Sequence, residues 1–267
     1  MAALRAGKHV ITEKPFAMAV TQGEEMVREA EARDLRLCVV HNFQFAPATQ
    51  RLIRDVERGR LGPIRTISAV QFGNPSRRLP TWYESLPSGL FYDESPHLLY
   101  LVRRLAPGLR LHSVDVCRST IGNSTPASID ASYRAPLAHG EIPVTVSCRF
   151  EAPISEWHVA VMGDRGAGIL DVFRNIYLYL PNDGAHEARQ VLRTSIAATV
   201  GHWAQHLTNG PLHIAGRLLY GNESVFSTFS DAILAGRDAQ HISGRDALDV
   251  LGMQWGILDA CREQLSA

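Results

Sequence analysis

Several features that would restrict the function of this chain are missing from its 267 residues. Lysine plus arginine equals aspartate plus glutamate at 27 each, so no charge excess points to nucleic acid or an anionic membrane as a partner. No apolar run reaches the length of about 18 residues that a membrane-spanning helix needs. The charged N-terminal segment also lacks the apolar stretch of a secretory signal peptide. Together these absences predict a cytoplasmic protein.

Metal-ligand spacing is missing as well. His202 and His206 are four residues apart, but their apolar neighbours and the lack of a third ligand favour a packed helix over a metal site. The cysteines are scattered and are expected to be reduced thiols, two of them in apolar runs: Cys38, Cys117, Cys148 and Cys261. The sequence therefore predicts no bound metal.

What is present is an α/β opening followed by many strands. Residues 1–60 alternate strand and helix, as in a parallel α/β layer. Seven strand patterns follow from Ile64 onward, interrupted by a helix near residues 93–105, and the end of the chain is mostly helical. Alternating apolar residues in Ile142–Phe150 are typical of a sheet with one buried face. The predicted second region is therefore α+β, with a large, mostly antiparallel sheet and helices on one face.

The segment Gly7–Pro15, which reads GKHVITEKP, is the most informative part of the chain. A β-type run, His9–Thr12, is followed directly by Glu13, Lys14 and Pro15 at its carboxyl end. In open α/β sheets, ligands bind just outside the carboxyl ends of the strands. Lys14 is therefore placed to hold a substrate oxygen or a cofactor ribose. A surface Lys-Pro turn after an edge strand is the alternative that this segment alone leaves open.

Asp93 and His97 form a second pair of chemical interest. They are four residues apart on a predicted helix, with Asp93 as its expected N-cap, so their side chains would share one face. An imidazole with a pKa near neutrality suits proton exchange with a hydroxyl, and a neighbouring carboxylate would orient the ring and favour its charged form. Taken alone, the pair is also compatible with a helix cap beside a packed ring.

Three other segments carry weaker signals. Asn42 and Gln44 follow a strand end and are predicted to contact substrate, with a solvated loop as an equal alternative. The loop Ser76–Tyr83 combines cations with aromatic residues and would suit an acidic substrate or a sugar ring, although ordinary surface chemistry explains it better. The glycine-rich run Gly163–Gly168 is predicted to be a hairpin turn, because an apolar strand follows it where a phosphate-binding turn would open a helix.

The segment Gly7–Phe16 resembles the signature of the Gfo/Idh/MocA (glucose–fructose oxidoreductase / inositol dehydrogenase) family of NAD(P)-dependent oxidoreductases. The resemblance continues, in matching order and spacing, through Val40–Pro47, Gly59–Ile64, Ser88–His97, Phe229–Ala232 and Ser243–Leu248. It implies a partial dinucleotide-binding (Rossmann-type) domain in residues 1–60 and an α+β substrate and oligomerisation domain in residues 61–267. Two departures, Ser88 and Pro96, occupy positions where the family often has glycine and another small residue.

The resemblance also implies a function. The family interconverts a hydroxyl and a carbonyl, so the expected substrate is a sugar, cyclitol or related polyol and the expected cofactor is NAD or NADP. The residue matching His97 exchanges the hydroxyl proton, and those matching Lys14 and Asp93 position substrate and cofactor, so these three are expected to be catalytic. The expected cofactor contacts are Glu13, Lys14 and Pro15. The expected substrate contacts are Lys14, Asn42, Asp93 and His97.

The glycine-rich turn that holds the cofactor pyrophosphate in this family is not found between Met1 and the Glu-Lys-Pro strand. At least two βαβ units are expected to be missing, so these residues alone should bind NAD(P) weakly. Two interpretations stay open. The chain is either the C-terminal part of an oxidoreductase or a non-catalytic, truncated relative that binds a small ligand or a partner. The resemblance further implies a homo-oligomer that assembles through the large sheet.

Overall fold

A computed structural model describes residues 1–79, 81–218 and 220–266. The chain opens with a two-stranded parallel layer. After a short helix α1 (Ala2–Arg5), strand β1 (Val10–Thr12) pairs in parallel with β2 (Leu37–Val39), and helix α2 (Val20–Ala32) connects them. Parallel neighbours need a long crossover of this kind, because a tight turn would reverse the chain direction. The α/β character predicted for the first residues is confirmed.

The following seven strands form one mixed sheet in the order β4-β5-β6-β3-β7-β8-β9. They are β3 (Ile64–Phe72), β4 (Arg110–Cys117), β5 (Ser128–Leu137), β6 (Gly140–Arg149), β7 (Glu156–Gly163), β8 (Gly166–Asp171) and β9 (Ile176–Pro181). The β3–β6 pair is parallel and the other neighbouring pairs in this order are antiparallel. A large, mostly antiparallel sheet is therefore confirmed, and the run Gly163–Gly168 contains the tight hairpin between β7 and β8, as predicted.

Most of the remaining helices pack on this sheet. They are α3 (Pro47–Glu57), α4 (Leu90–Leu105), α5 (Ala188–Ile214), α6 (Asn222–Leu234) and α7 (Gly244–Ser266). Apolar side chains of α3, α4 and α7 share one core with alternate strand residues such as Ile67, Val144 and Val159. Helix α5 instead lies along the edge strand β9, where the Gln205 amide donates to the Tyr177 carbonyl at 2.8 Å and accepts from the Tyr177 N–H at 2.9 Å. A covered edge cannot pair with another chain.

The C-terminal helices also pack against the parallel layer. Helix α7 contacts α2 and β2, and α6 contacts the 3₁₀ turn Asn42–Phe45 that follows β2. Ala247 and Leu251 of α7 lie in one small core with Leu4 and Val39. The regions on either side of residue 60 therefore share helix α7, and the domain boundary at that position stays a prediction.

Helix α4 begins three residues earlier than predicted. Its N-cap is Gly89, which has φ +56°, so the prediction that Asp93 caps the helix is wrong. The cap is supplied from a distant loop, because the Leu90 N–H donates to the Thr125 hydroxyl at 2.9 Å. Asp93 therefore lies in the first turn of the helix, with its carboxylate available for another partner.

The cysteine prediction is confirmed, since the four are free thiols and Cys38 and Cys148 are buried. No helix within residues 1–79, 81–218 and 220–266 is both long enough and apolar enough to cross a membrane. Cytoplasmic location stays a prediction.

Candidate active site

Lys14 and Asp93, which lie 79 residues apart, form an ion pair. The Lys14 ammonium donates to the Asp93 carboxylate Oδ1 and to the Asp93 carbonyl oxygen, both at 2.8 Å. Lys14 lies two residues after β1, and Asp93 lies in the first turn of α4, so the pair joins the parallel layer to the helix that packs on the large sheet. The two side chains keep 16% and 21% of their surface exposed. An ammonium has three N–H donors, so one donor of Lys14 is left for a ligand oxygen.

His97 is buried one turn further along α4, with 9% of its surface exposed. Its ring packs edge-on against Phe43, with ring centroids 4.9 Å apart, and its Nδ1 lies 2.9 Å from the Tyr100 hydroxyl. Burial, together with the charges of Lys14 and His41, lowers the pKa of His97 well below its ordinary value of 6.5. The imidazole is therefore neutral at pH 7 and has a lone pair that can accept a proton.

The predicted contact between Asp93 and His97 is not formed. The Asp93 carboxylate pairs with Lys14, and the Tyr100 hydroxyl takes the place at the His97 ring. An ammonium outcompetes a neutral imidazole for a carboxylate because both partners of the bond are charged. The expectation that a carboxylate favours the charged imidazole is also wrong, because burial lowers the pKa of His97.

Three residues around His97 were not identified from the sequence. Tyr100 is buried, and its hydroxyl accepts the Phe43 N–H at 3.1 Å. The His41 ring stacks on Tyr100 with centroids 4.6 Å apart, and burial lowers the pKa of His41 to about 4. Tyr100 was detectable in principle, because residues three apart on a helix are neighbours. His41 and Phe43 come from the segment after β2, and no local pattern indicates what they contact.

A buried carboxylate lies next to the ion pair. Glu94 accepts a hydrogen bond from the Gln71 amide and is 3.0 Å from Nη1 of Arg77. Burial raises the pKa of Glu94, and the Arg77 guanidinium opposes that shift. Arg77, from the loop that precedes α4, is therefore attached to the helix that carries Asp93 and His97.

The other predicted site residues are more dispersed. Glu13 is exposed at the carboxyl end of β1, and Pro15 beside it is partly buried. Asn42 is also partly buried, with its Oδ1 3.5 Å from the Tyr100 hydroxyl. Gln44 is buried and its side-chain amide donates to the His241 carbonyl at 2.8 Å, so the solvated loop is wrong for this residue, whereas its contact with substrate stays a prediction.

No three metal-ligating side chains converge in the part of the chain that the structure describes. His202 and His206 stack on one face of α5, with ring centroids 6.1 Å apart.

An open cleft of about 530 Å³ adjoins this site. Its lining includes Arg77, Phe173, His206 and Tyr220, whereas Lys14, Asp93 and His97 do not line it. The Trp157 ring separates the cleft from His97, because it packs on Phe173 with centroids 4.8 Å apart and on His97 with centroids 5.2 Å apart. The cleft is therefore one aromatic layer away from the imidazole, and an apolar lining of this kind suits the face of a ring.

Comparisons with known proteins identify similar sequences and folds. The sequence model of the Gfo/Idh/MocA family, described as an oxidoreductase family with an NAD-binding Rossmann fold, matches residues 1–41. The chain is 26% identical over 170 residues to trans-1,2-dihydrobenzene-1,2-diol dehydrogenase of Macaca fascicularis, a match that covers 62% of this chain and 48% of that protein. It is 42% identical over 73 residues to 1,5-anhydro-D-fructose reductase of Ensifer adhaerens, which covers 27% of this chain and 21% of that protein. The chain spans about half the length of the diol dehydrogenase.

Solved structures share the fold over nearly the whole chain. Levoglucosan dehydrogenase in complex with NADH and levoglucosan aligns with a TM-score of 0.71 at 17% identity, covering 98% of this chain and 74% of that one. The WlbA dehydrogenase of Bordetella pertussis, in complex with NADH and UDP-GlcNAcA, aligns with a TM-score of 0.71 at 15% identity, covering 98% and 73%. These likenesses confirm the predicted fold class, a Rossmann-type layer followed by an α+β sheet region.

Proposed function

We propose that this chain is part of an NAD(P)-dependent enzyme that interconverts a hydroxyl and a carbonyl, because it belongs to the Gfo/Idh/MocA family of oxidoreductases. The proposed substrate is a sugar, cyclitol or related cyclic polyol. The observation that carries the proposal is the Lys14–Asp93 ion pair beside a neutral, buried His97. A base kept neutral next to an accessible cation suits removal of a hydroxyl proton.

Each of these three residues has a distinct role in the proposal. His97 accepts the proton of the substrate hydroxyl during oxidation and returns it during reduction. The remaining N–H of Lys14 holds the reacting oxygen and stabilises the negative charge that develops on it. Asp93 holds the Lys14 ammonium in place through two bonds of 2.8 Å. Asn42, at the end of the neighbouring strand, is the fourth proposed substrate contact.

The carboxyl ends of β1 and β2 fit a nicotinamide cofactor. Ligands of open parallel sheets bind at that edge, and the exposed Glu13 and the partly accessible Lys14 and Pro15 lie there. We propose that these three residues contact NAD or NADP, which supplies the hydride acceptor or donor when bound.

The names of the relatives favour a cyclic substrate with several hydroxyl groups, because they include a cyclic diol and an anhydro sugar. The cleft lined by Phe173 and Tyr220 gives no information on this substrate, because the Trp157 ring separates it from His97.

Replacing Lys14 tests the proposal directly. In the full-length protein, Lys14→Met should lower kcat/KM by roughly 10² to 10³, since a donor aimed at developing negative charge contributes that much. Hydride transfer would be followed by NAD(P)H absorbance over a panel of sugars, cyclitols and cyclic diols. The chain contains one other lysine, the exposed Lys8, and Lys8→Met should leave the rate unchanged. If the wild-type protein catalyses hydride transfer with none of these compounds, the enzyme interpretation is wrong and the non-catalytic interpretation takes its place.

We also propose a homo-oligomer through the sheet face that α3, α4 and α7 leave uncovered. Alternate residues on that face, such as Ser68, Thr145 and Ile169, are partly exposed. Ile169→Arg should therefore convert the oligomer to a monomer in light scattering, because it buries a charge at the contact. Leu234→Arg, at an 86% exposed apolar position on α6, is the matched control and should leave the mass unchanged. A wild-type monomer at micromolar concentration contradicts the proposal.

Helix α5 offers a second apolar surface for the same assay. Its outward stripe consists of side chains that are each more than half exposed: Leu192, Ile196, Val200, Trp203 and Leu207. Exposed apolar stripes of this size often mark contact surfaces. Light scattering of Leu207→Arg would show whether α5 belongs to the same interface.

A further inference from the structure

The Tyr100 hydroxyl is the centre of a buried hydrogen-bond network. Its oxygen lies 2.9 Å from Nδ1 of His97, 3.1 Å from the backbone N of Phe43 and 3.5 Å from Oδ1 of Asn42. The side chain is 3% exposed, and the His41 ring stacks on its face. Tyr100 is therefore held rigidly against the ring that the proposed reaction needs.

The chemistry of the three neighbours determines which way each proton points. A backbone N–H can only donate, so the Tyr100 oxygen accepts from Phe43. An amide oxygen can only accept, so a contact with Asn42 Oδ1 requires the Tyr100 proton to point at it. The Tyr100 oxygen then has a lone pair for a second donor, and His97 Nδ1–H is the donor within reach. This arrangement satisfies all three contacts at once.

The opposite arrangement satisfies fewer contacts. If the Tyr100 hydroxyl donated its proton to His97 Nδ1, it could not donate to Asn42 Oδ1, which is 3.5 Å away. The buried hydroxyl would then make two hydrogen bonds instead of three. A neutral imidazole carries a single proton, so a proton at Nδ1 leaves Nε2 with a free lone pair. Nε2 makes no hydrogen bond to the described residues, which leaves it available to a substrate hydroxyl.

We infer that Tyr100, with Asn42 behind it, is a positioning residue that keeps His97 in the tautomer with its proton on Nδ1 and its lone pair on Nε2. The catalytic use of this tautomer rests on the proposed function, because only the tautomer with a free lone pair on Nε2 can accept the substrate proton at that atom. It also gives Asn42 a role that does not require contact with substrate. The tautomer itself is a property of the protein alone and is measurable without cofactor or substrate.

Nitrogen NMR of the ¹⁵N-histidine-labelled protein tests the inference, with the His97 signals assigned by their loss in His97→Gln. The wild-type protein should show a protonated Nδ1 and an unprotonated Nε2. In Tyr100→Phe the hydroxyl that receives the Nδ1 proton is gone, so a substantial Nε2–H population should appear. In the active full-length protein the same change should lower kcat by roughly 10- to 100-fold with little change in KM, the size of effect that follows when a metal-ligating histidine loses the partner that orients it.

Tyr92→Phe is the matched control. Tyr92 is on the same helix and fully buried, but its hydroxyl donates to the Ala17 carbonyl at 2.5 Å and does not bond His97. This variant should keep the wild-type tautomer. Asn42→Ala should shift the tautomer in the same direction as Tyr100→Phe, because it removes the acceptor that orients the hydroxyl.

Two results would overturn the inference. One is a wild-type His97 with its proton on Nε2, and the other is an unchanged Nδ1–H tautomer in Tyr100→Phe. A protein without hydride-transfer activity is a separate outcome. It would remove the proposed function while the NMR result still decides whether Tyr100 sets the tautomer.

Discussion

His97→Ala is expected to lower kcat of the proposed oxidoreductase by roughly 10² to 10⁴, the usual contribution of a positioned general acid or base. The substitution removes the only proton acceptor that we assign to the substrate hydroxyl, while the Lys14–Asp93 pair is left intact. KM should change less than kcat, since the ring is buried and contributes little binding surface. Steady-state kinetics with the best substrate of the panel would measure both.

The pH dependence of oxidation provides a second test of the same residue. Burial lowers the pKa of His97, so the neutral form that accepts a proton persists below the ordinary value of 6.5. Activity in the oxidative direction should therefore fall only when the pH drops through the lowered pKa. If the loss of activity at low pH has its midpoint at pH 6.5 or above, the group that titrates is not His97.

His112→Ala is the matched control for His97→Ala. His112 is exposed on β4, so its loss should change neither kcat nor the thermal unfolding midpoint. If His97→Ala retains wild-type kcat with its fold intact, His97 is a packed ring and the proton passes elsewhere.

Gly89→Ala is the second substitution with a large expected effect, on stability and on activity together. Gly89 has φ +56°, and an added Cβ would lie 2.1 Å from the Thr125 hydroxyl oxygen and 2.9 Å from its backbone nitrogen. Backbone strain and overpacking should together destabilise the protein by about 3 kcal/mol. The clash also displaces the hydroxyl that caps the Leu90 N–H. Because Asp93 lies in the first turn of that helix, the ion pair with Lys14 should loosen and kcat should fall.

Gly122→Ala separates the two causes of this destabilisation. Gly122 also has a positive φ, +82°, but a Cβ there would meet no atom within 4 Å. Gly122→Ala should therefore lower the free energy of unfolding by about 1 kcal/mol, through backbone strain alone. Urea unfolding of both variants would measure the difference. Equal losses would mean that the Thr125 contact at Gly89 relaxes without cost.

The sequence by itself determined the pattern of strands and the identity of the main chemical groups. The first strand of the large sheet begins at Ile64, where the strand patterns were predicted to begin, because alternating apolar residues encode which face of a strand is buried. Lys14 was recognisable because it lies two residues after the carboxyl end of a short strand. Asp93 and His97 were recognisable because they are four apart on one helix. Each of these signals is local, within about one turn of a helix or the length of one strand.

Only the tertiary structure decided which partner each of these groups has. Asp93 is paired with Lys14 from 79 residues away, and the helix that carries it is capped by Thr125, which comes 35 residues after Leu90. Tyr100 is within reach of His97 in the sequence, but the Phe43 amide that holds its hydroxyl is 57 residues distant. Such partners compete for the same donor or acceptor, and the outcome depends on charge and distance after the chain has folded. Local periodicity cannot predict the outcome, because it indicates which face of a helix or strand is buried and not which residues that face contacts.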